Sequence, residues 1–279
     1  MLGTILVSIG TFLEEISDSI GKTKVNSREE STFTMAFLSL FWGAIFFIFI
    51  GIFKNDGFVF KLASLPTFSI RVILEIIQTY ISVLAIVKAD RSTYGFIRTI
   101  TVPLLLIVDF VIGYKLGFLP IVGMSIIIIT LLVLFLNKGI RKNGVGFVVF
   151  SAINAVITIS LFKYDITHFN SVAAEQLLIY LILLLFFVFF AFVQARENPF
   201  AFLKKPIFFL QSASVGLGGV IESFGYNYGA ASIIVAAKRS SAVFWSLLSG
   251  KVCFEEKNVF SKFTTAVLLF AGLILLSIK

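Results

Sequence analysis

Cationic side chains inside otherwise apolar stretches are the residues of this sequence that are best suited to chemistry. Arg98 lies several residues into one apolar stretch, and the adjacent Lys238 and Arg239 lie at a similar depth in another. A charge within a bilayer costs at least about 2.5 kcal/mol, so such residues usually face a water-filled cavity or one another. A guanidinium group binds carboxylates and phosphates through paired hydrogen bonds. These residues predict a polar cavity that could hold an anion.

Polar residues recur at helical spacing in several of these stretches. Arg71, Glu75 and Gln78 are four and three positions apart, so they share one face of a helix. The other candidate cavity residues on such stripes are Glu14, Tyr94, Thr101, Asn154, Glu222, Ser241 and Trp245. Two alternatives stay open. Arg71 and Glu75 could be a structural ion pair one turn apart, and Glu14, with Glu15 and Asp18, could sit at the membrane edge of a short first span.

The elements that position these residues are predicted to be membrane-spanning helices. The chain is 58% hydrophobic and 14% charged, and its mean hydropathy is +1.03. Hydropathy predicts ten spans, at about 2–20, 32–53, 67–87, 93–113, 117–136, 144–162, 172–194, 207–226, 230–249 and 260–278. The predicted class is an all-α polytopic membrane protein. Its net charge of +8 is scattered between spans, which argues against nucleic-acid binding. One cysteine and one histidine cannot form a metal-ligand cluster, and no cofactor is expected.

The chain resembles itself at long range. A shift of 140 positions places Arg98 on Lys238 and Thr101 on Ser241. The polar segment 137–144 separates a first half, 1–139, from a second half, 140–279, and each holds five predicted spans. Because five is odd, the second half enters the membrane in the opposite sense, so the repeat is inverted.

The polar stripes fall on spans one, three, four, six, eight and nine, a set that the repeat maps onto itself. These six spans are predicted to surround the cavity, while spans two, five, seven and ten pack outside. Glu175, near one end of span seven, is expected to be reached by water. Loop cations, among them Lys22, Arg91 and Lys262, fall mostly after odd-numbered spans. The positive-inside rule then places both termini on the outer side.

Three motifs resemble the drug/metabolite transporter superfamily, specifically its EamA-type members. They are A-x-x-x-A-D-R-S-T-x-G-F-x-R-x-x-T-x-P at 85–103, A-x-K-R-S-S-A-V-F at 236–244 and G-K-V-C-F-E-E at 250–256. The resemblance implies a carrier with ten helices in two inverted five-helix repeats around a central cavity, working by alternating access. It also implies cytoplasmic termini. The loop charges indicate the opposite, so the orientation stays open.

The function implied is secondary transport of a small metabolite. In the plastid phosphate translocators of the same superfamily, a Lys-Arg pair in span nine and a basic residue in span four bind phosphate. Lys238, Arg239 and Arg98 match that arrangement, so an anionic or phosphorylated cargo is one expected class. A Lys-Arg pair also occurs in relatives with other cargo.

Coupling to protons would fall to Glu14, Glu75 or Glu222. The expected partners are a small-molecule substrate and membrane lipids, and the expected location is a prokaryotic plasma membrane. Whether the protein is a monomer or a homodimer stays open. The alternative functions are a lipid-handling or flippase-like protein and, less favoured, an intramembrane enzyme. The chain has neither a metal-binding motif nor a glycine-rich nucleotide loop that would support an enzyme.

Overall fold

A computed structural model describes residues 2–53, 58–111, 117–136, 142–229, 231–256 and 259–277. The described part of the chain is helical throughout its regular structure and contains no strand. The helices are α1 (Leu2–Asn26), α2 (Thr32–Phe53), α3 (Leu65–Lys88), α4 (Arg91–Arg98), α5 (Thr101–Val111), α6 (Phe118–Leu136), α7 (Val145–His168), α8 (Val172–Phe190), α9 (Pro199–Phe202), α10 (Pro206–Gly225), α11 (Ala231–Val252) and α12 (Val259–Ser277). The predicted boundary between the halves, at 139–140, lies outside the described residues.

Six of these helices, namely α2, α3, α7, α8, α10 and α11, are long and apolar enough to cross a membrane. Large apolar side chains are exposed along them, for example Phe49, Ile73 and Leu185. Such exposure would be unfavourable in water, but it suits contact with hydrocarbon chains. The prediction of an all-α polytopic membrane protein is confirmed at this level.

The fourth predicted span, 93–113, is broken just beyond Arg98, where Pro103 in the sequence predicts an interruption of the hydrogen-bond ladder. Helix α4 ends at Arg98 and α5 begins at Thr101. Pro103 has no N–H to donate to the carbonyl of Thr99, so the ladder of hydrogen bonds cannot continue through this point. The Thr99 carbonyl accepts instead from the Val102 N–H, at 3.0 Å. The break directly follows Arg98 and sets the start of α5 against α11.

Close helix crossings hold the bundle together at glycines. An added Cβ on Gly10 of α1 would lie 2.7 Å from the carbonyl oxygen of Gly218 on α10, and the reverse distance is also 2.7 Å. Gly216 meets the α2 backbone equally closely, because its Cβ would lie 2.5 Å from the Gly43 nitrogen. The absence of a side chain at Gly216 and Gly218 therefore lets α10 approach α2 and α1 closely. Helix α3 packs along α7, α2 along α8, and α6 along α12.

Candidate functional site

A polar cavity with two compartments lies between the helices. The compartments have volumes of about 250 Å³ and 200 Å³. We name the first the Asp18 compartment and the second the Lys238 compartment, after a residue that lines only that one. The residues lining both compartments are Arg71, Glu75, Gln78, Arg98, Gln176 and Tyr180. Because these six residues line both spaces, we treat the two compartments as one central cavity.

Lys238 is held between two carboxylates that the sequence analysis also selects. Its Nζ lies 3.0 Å from a Glu14 oxygen on α1 and 2.5 Å from a Glu222 oxygen on α10. All three side chains line the Lys238 compartment. The ammonium charge is therefore compensated by the protein itself, and Lys238 ties α11 to α1 and α10.

Arg98 and Arg239 line the same compartment without an ion pair to a carboxylate. Arg98 donates to the Tyr94 hydroxyl, and its Nε is buried with no hydrogen-bond partner. Arg239 donates through Nε to the Thr101 hydroxyl, at 3.1 Å. Among the described residues, neither guanidinium has a carboxylate within ion-pair distance. Tyr94 and Thr101 thus lie behind the two arginines and orient them, while the guanidinium groups themselves border the cavity.

Arg71 has a different main partner from the one that its sequence spacing indicates. Glu75, one turn away, lies 3.5 Å from the Arg71 Nε. Shorter bonds of 2.8 Å run from the two terminal nitrogens to Glu175 and to the Gln176 amide oxygen of α8. The expectation that water reaches Glu175 is wrong, since this side chain is fully buried. Its carboxylate compensates Arg71 from a helix that the stripe pattern places outside the cavity.

A hydrogen-bonded group joins α3 to α7 at the cavity wall. The Asn154 amide donates to the Gln78 side-chain oxygen at 2.9 Å and to the Leu74 carbonyl at 3.0 Å. Gln78 in turn donates to the Ser151 hydroxyl at 3.0 Å. Gln78 lines the cavity, whereas Asn154 lies beside it and fixes the Gln78 amide. Glu14 and Gln78 thus line the cavity as predicted, whereas Asn154 lines neither compartment.

Ser241 and Trp245 do not line the central cavity. They border a groove of about 720 Å³ between α1, α11 and α12, together with apolar side chains such as Ile9, Phe12 and Phe244. The Trp245 ring packs on Phe12 at a centroid distance of 4.5 Å. We call this the lateral groove. It shares no lining residue with either compartment, so the prediction of these two residues as cavity residues differs from the structure.

Two of the helices expected to pack outside also contribute to the cavity. Gln176 and Tyr180 of α8 line both compartments, and Met35 and Ser39 of α2 line the Asp18 compartment. Gln176 and Tyr180 are four residues apart, which is the spacing of one helix face. This spacing is visible in the sequence, but the long apolar run after Tyr180 makes the whole span look lipid-facing. The prediction that spans two and seven lie only outside is wrong.

A cluster of buried charges closes the end of the bundle beyond Asp18. Arg91 donates to Glu15 at 2.7 and 3.0 Å and to Asp18 at 3.0 Å. Although it is predicted as a loop cation, Arg91 is only 1% exposed. Glu15 is also buried, because α1 continues to Asn26 and places this carboxylate well inside the helix. Helix α1 is therefore longer than the predicted first span, 2–20, and these carboxylates lie before its last turns.

The same cluster ties down the start of α4. The Glu256 carboxylate accepts from the backbone N–H of Arg91 at 2.6 Å and contacts the Lys262 ammonium at 3.2 Å. A carboxylate at a helix N-terminus compensates the unpaired N–H groups there. Lys22 donates to the carbonyls of Ile86, at 3.0 Å, and Val87, at 3.2 Å. Lys22, Arg91 and Lys262 are thus buried structural cations, so their part in the loop-charge argument for the orientation is removed.

Among the described residues, no group of three or more His, Cys, Asp and Glu side chains is arranged to hold a metal ion. No protein-family model matches the chain, and no curated protein matches it.

Proposed function

We propose that the protein is a secondary transporter that carries a small anionic metabolite through the central cavity by alternating access. In this proposal ten helical spans form two inverted five-span repeats, 1–139 and 140–279, as the resemblance to EamA-type transporters implies. The proposed setting is a prokaryotic plasma membrane. The single observation that carries the proposed cargo class is the pair of guanidinium groups, Arg98 and Arg239, that line one compartment without an ion-paired carboxylate among the described residues.

Local details at the ends of the helices support the repeat. Ser31 caps the start of α2 by accepting from the Thr34 N–H at 3.2 Å, and Ser171 caps α8 by accepting from the Ala174 N–H at 3.2 Å. These serines are 140 positions apart, the same offset that relates Arg98 to Lys238. A proline near the start of α3 and another at the start of α10, at 66 and 206, have that offset too.

Helix packing supports the same relation. Under the proposed repeat, α1 corresponds to α7 and α3 to α10. Helix α1 packs along α10, and its counterpart α7 packs along α3. Similarly, α1 packs on α11, and α7 packs on α4 and α5, the two pieces of the corresponding span. A twofold axis in the membrane plane would generate each of these pairs from the other.

The charge arrangement favours an anion over a cation. Lys238 is ion-paired with Glu14 and Glu222, and Arg71 with Glu175 and Glu75, so these two cations already have carboxylate partners. Arg98 and Arg239 have only neutral partners, the hydroxyls of Tyr94 and Thr101. Two guanidinium groups that share a confined polar space repel each other unless an anion lies between them. A carboxylate or phosphate group would supply that charge and the hydrogen-bond acceptors.

The first test is a thermal-shift measurement on the purified protein with inorganic phosphate, sulfate, a dicarboxylate and a neutral sugar. A ligand that binds the folded state raises the apparent melting temperature by mass action. We expect the anions to stabilise the native protein and to lose that effect in Arg98→Gln and in Arg239→Gln. Arg196→Gln is the matched control, because Arg196 is exposed and lines neither compartment.

An anion that stabilises the protein is then followed as a labelled compound in counterflow into proteoliposomes. Counterflow that depends on Arg98 and Arg239 supports transport. Stabilisation by the neutral sugar alone, with no response to any anion, would make both arginines structural and would overturn the proposed cargo class. Replacing Glu14, Glu75 or Glu222 by Gln then tests proton coupling, since loss of pH-driven accumulation with retained counterflow identifies a coupling carboxylate.

The lateral groove favours one second candidate, a lipid-handling protein. It is large, mostly apolar and bordered by Trp245, and it opens on the face of the bundle that would meet lipid. The groove shares no lining residue with the central cavity, so lipid would pass along a separate path. Transfer of a fluorescent phospholipid between leaflets of proteoliposomes, abolished by Ser241→Trp but not by Arg98→Gln, would favour this candidate.

A further inference from the structure

Exposed cations are concentrated at one end of the helix bundle, which we call the basic end. A bond from Lys22 to the Ile86 carbonyl and another from Ser31 to Glu197 bring together there the ends of α1 and α3 and the segment after α8. Among the described residues, the exposed lysines and arginines at the basic end are Arg28, Lys88, Lys142, Arg196, Lys204, Lys205 and Lys251. At the opposite end, the described part of the chain has one, Lys61. Because the three buried cations described above are left out, this contrast concerns side chains that a partner can reach.

At the basic end, the loop 27–31 is held by residues from two later parts of the chain. Glu197, which follows α8, accepts from the Ser31 N–H at 3.1 Å and from the Ser31 hydroxyl at 2.7 Å. Gln211 of α10 donates to the buried Glu30 carboxyl at 3.1 Å. The loop is therefore fixed against both ends of the segment that joins α8 to α10. Three exposed cations of this region are Arg28, Lys204 and Lys205.

The segment that leads into α10 combines cations with aromatic rings. The Lys205 Nζ lies 5.4 Å from the centroid of the Phe202 ring and 5.7 Å from that of the Phe208 ring. Phe200 of α9 is 46% exposed, and Lys204, four positions further on, is exposed too. At a membrane edge, long cationic side chains keep their stems on apolar surface and their charged ends in the headgroup layer. This arrangement indicates that the segment lies where hydrocarbon meets water.

The three cations are not neutralised by the protein itself. Among the described residues, none of them has a carboxylate within ion-pair distance. Glu29, the exposed acid of the same loop as Arg28, is bound instead by Lys24 at 2.6 Å and by the Ser27 hydroxyl at 2.9 Å. A phosphate group would supply the missing negative charge and the hydrogen-bond acceptors. The guanidinium of Arg28 suits such a group, because it binds phosphate oxygens through paired N–H groups.

We propose that Arg28, Lys204 and Lys205 bind the phosphate headgroup of an anionic phospholipid at the basic end. A lipid is indicated, rather than a soluble anion, because exposed apolar side chains adjoin the cations in the chain, with Phe200 before them and Ile207 after them. Those side chains would contact the acyl chains of the lipid. Anionic headgroups attract cations that lie within a Debye length of the membrane surface. The inference needs neither the central cavity nor the proposed transport.

Titration of the purified protein with phosphatidylglycerol in a neutral detergent, followed by the melting temperature, tests this site. A ligand that binds the folded state raises that temperature, so we expect stabilisation by phosphatidylglycerol and little by phosphatidylcholine with the same acyl chains. Lys204→Gln combined with Lys205→Gln should weaken the apparent affinity by roughly fivefold for each cation removed. Lys88→Gln combined with Lys142→Gln is the matched control, because it removes two exposed cations of the basic end from other segments. All four side chains are exposed, so both double variants are expected to fold.

Several results would overturn the proposal. An equal loss of affinity in both double variants would show general attraction to the basic end and no site in this segment. Equal stabilisation by the two lipids, or none by either, would show that the headgroup charge is not bound. Stabilisation by glycerol phosphate at the same concentration, lost in the Lys204 and Lys205 double variant, would identify a free phosphate as the ligand. The phosphatidylglycerol response should persist in Arg98→Gln, and its loss there would place the lipid phosphate in the central cavity.

The site also predicts which side of the membrane the basic end faces. Anionic lipids give the cytoplasmic leaflet a negative surface potential that attracts basic segments. The basic end is then cytoplasmic and the start of α1 lies on the outer side, as the loop charges indicate. Cys253, the single cysteine, is exposed at the basic end, so a membrane-impermeant maleimide should label it in inside-out vesicles. Labelling in right-side-out vesicles instead would make this orientation wrong.

Discussion

Replacement of Arg91 by methionine should destabilise the protein strongly, although Arg91 has the sequence position of a loop residue. The guanidinium is 1% exposed and is bonded to Glu15 and Asp18. Methionine fills much of the same volume but removes the charge. Glu15, which is buried, and Asp18, which is partly buried, then remain without their cation. Breaking a buried ion pair in this way costs about 3–5 kcal/mol, because the partner charge stays out of water.

The assay is thermal unfolding in one fixed detergent. For chains of roughly this length, 1 kcal/mol corresponds to about 2–4 °C in melting temperature, so Arg91→Met should lower it by on the order of 10 °C. Arg196→Met is the matched control, because Arg196 is exposed and has no ion pair among the described residues. A surface substitution of this kind should change stability by no more than about 0.5 kcal/mol.

A second comparison separates charge from packing. Adding Glu15→Gln and Asp18→Asn to Arg91→Met removes the uncompensated carboxylates and should recover a large part of the lost stability. If the triple variant melts as low as Arg91→Met, the loss comes from packing and the electrostatic argument is wrong. If Arg91→Met melts at the same temperature as Arg196→Met, Arg91 does not compensate buried carboxylates.

Three further predictions concern other parts of the fold. Burial raises the pKa of the Glu30 carboxyl to about 8, so the folded state holds a proton that the unfolded chain releases at lower pH. The stability of the protein should therefore fall as the pH rises from about 5 to about 8. Glu30→Gln should reduce this pH dependence of the melting temperature. Gly218→Ala places a Cβ 2.7 Å from the Gly10 carbonyl oxygen and should lower the free energy of unfolding by roughly 1–3 kcal/mol. Gly146→Ala is the control in the same melting assay. It should be neutral or stabilising, because an added Cβ at Gly146 meets open space. Ser31→Ala removes the cap of α2 and should cost about 1 kcal/mol, and a change below the error of the melt would argue against the cap.

The sequence by itself determined where the helices lie and which faces of them are polar. A helix closes its backbone hydrogen bonds within one segment, so an apolar run of sufficient length specifies its own structure. Predicted spans at 32–53 and 117–136 match α2 and α6 closely. Helical spacing also brought Arg71, Glu75 and Gln78 to one face, and that face does border the cavity. Pro103 marked the interruption between α4 and α5.

Only the tertiary structure decided which partner each charged group meets and which way each polar face points. The sequence spacing predicts Glu75 as the partner of Arg71. The shorter contact, at 2.8 Å against 3.5 Å, is with Glu175, 104 positions away. Ser241 occupies a polar position on α11, yet it faces the lateral groove, because a stripe defines a face without defining its neighbour. In the sequence, Arg91 looks like a loop cation. Only the fold shows that two carboxylates of α1 bind it. Ion pairing depends on the distance between atoms on different helices, and local sequence does not contain that distance.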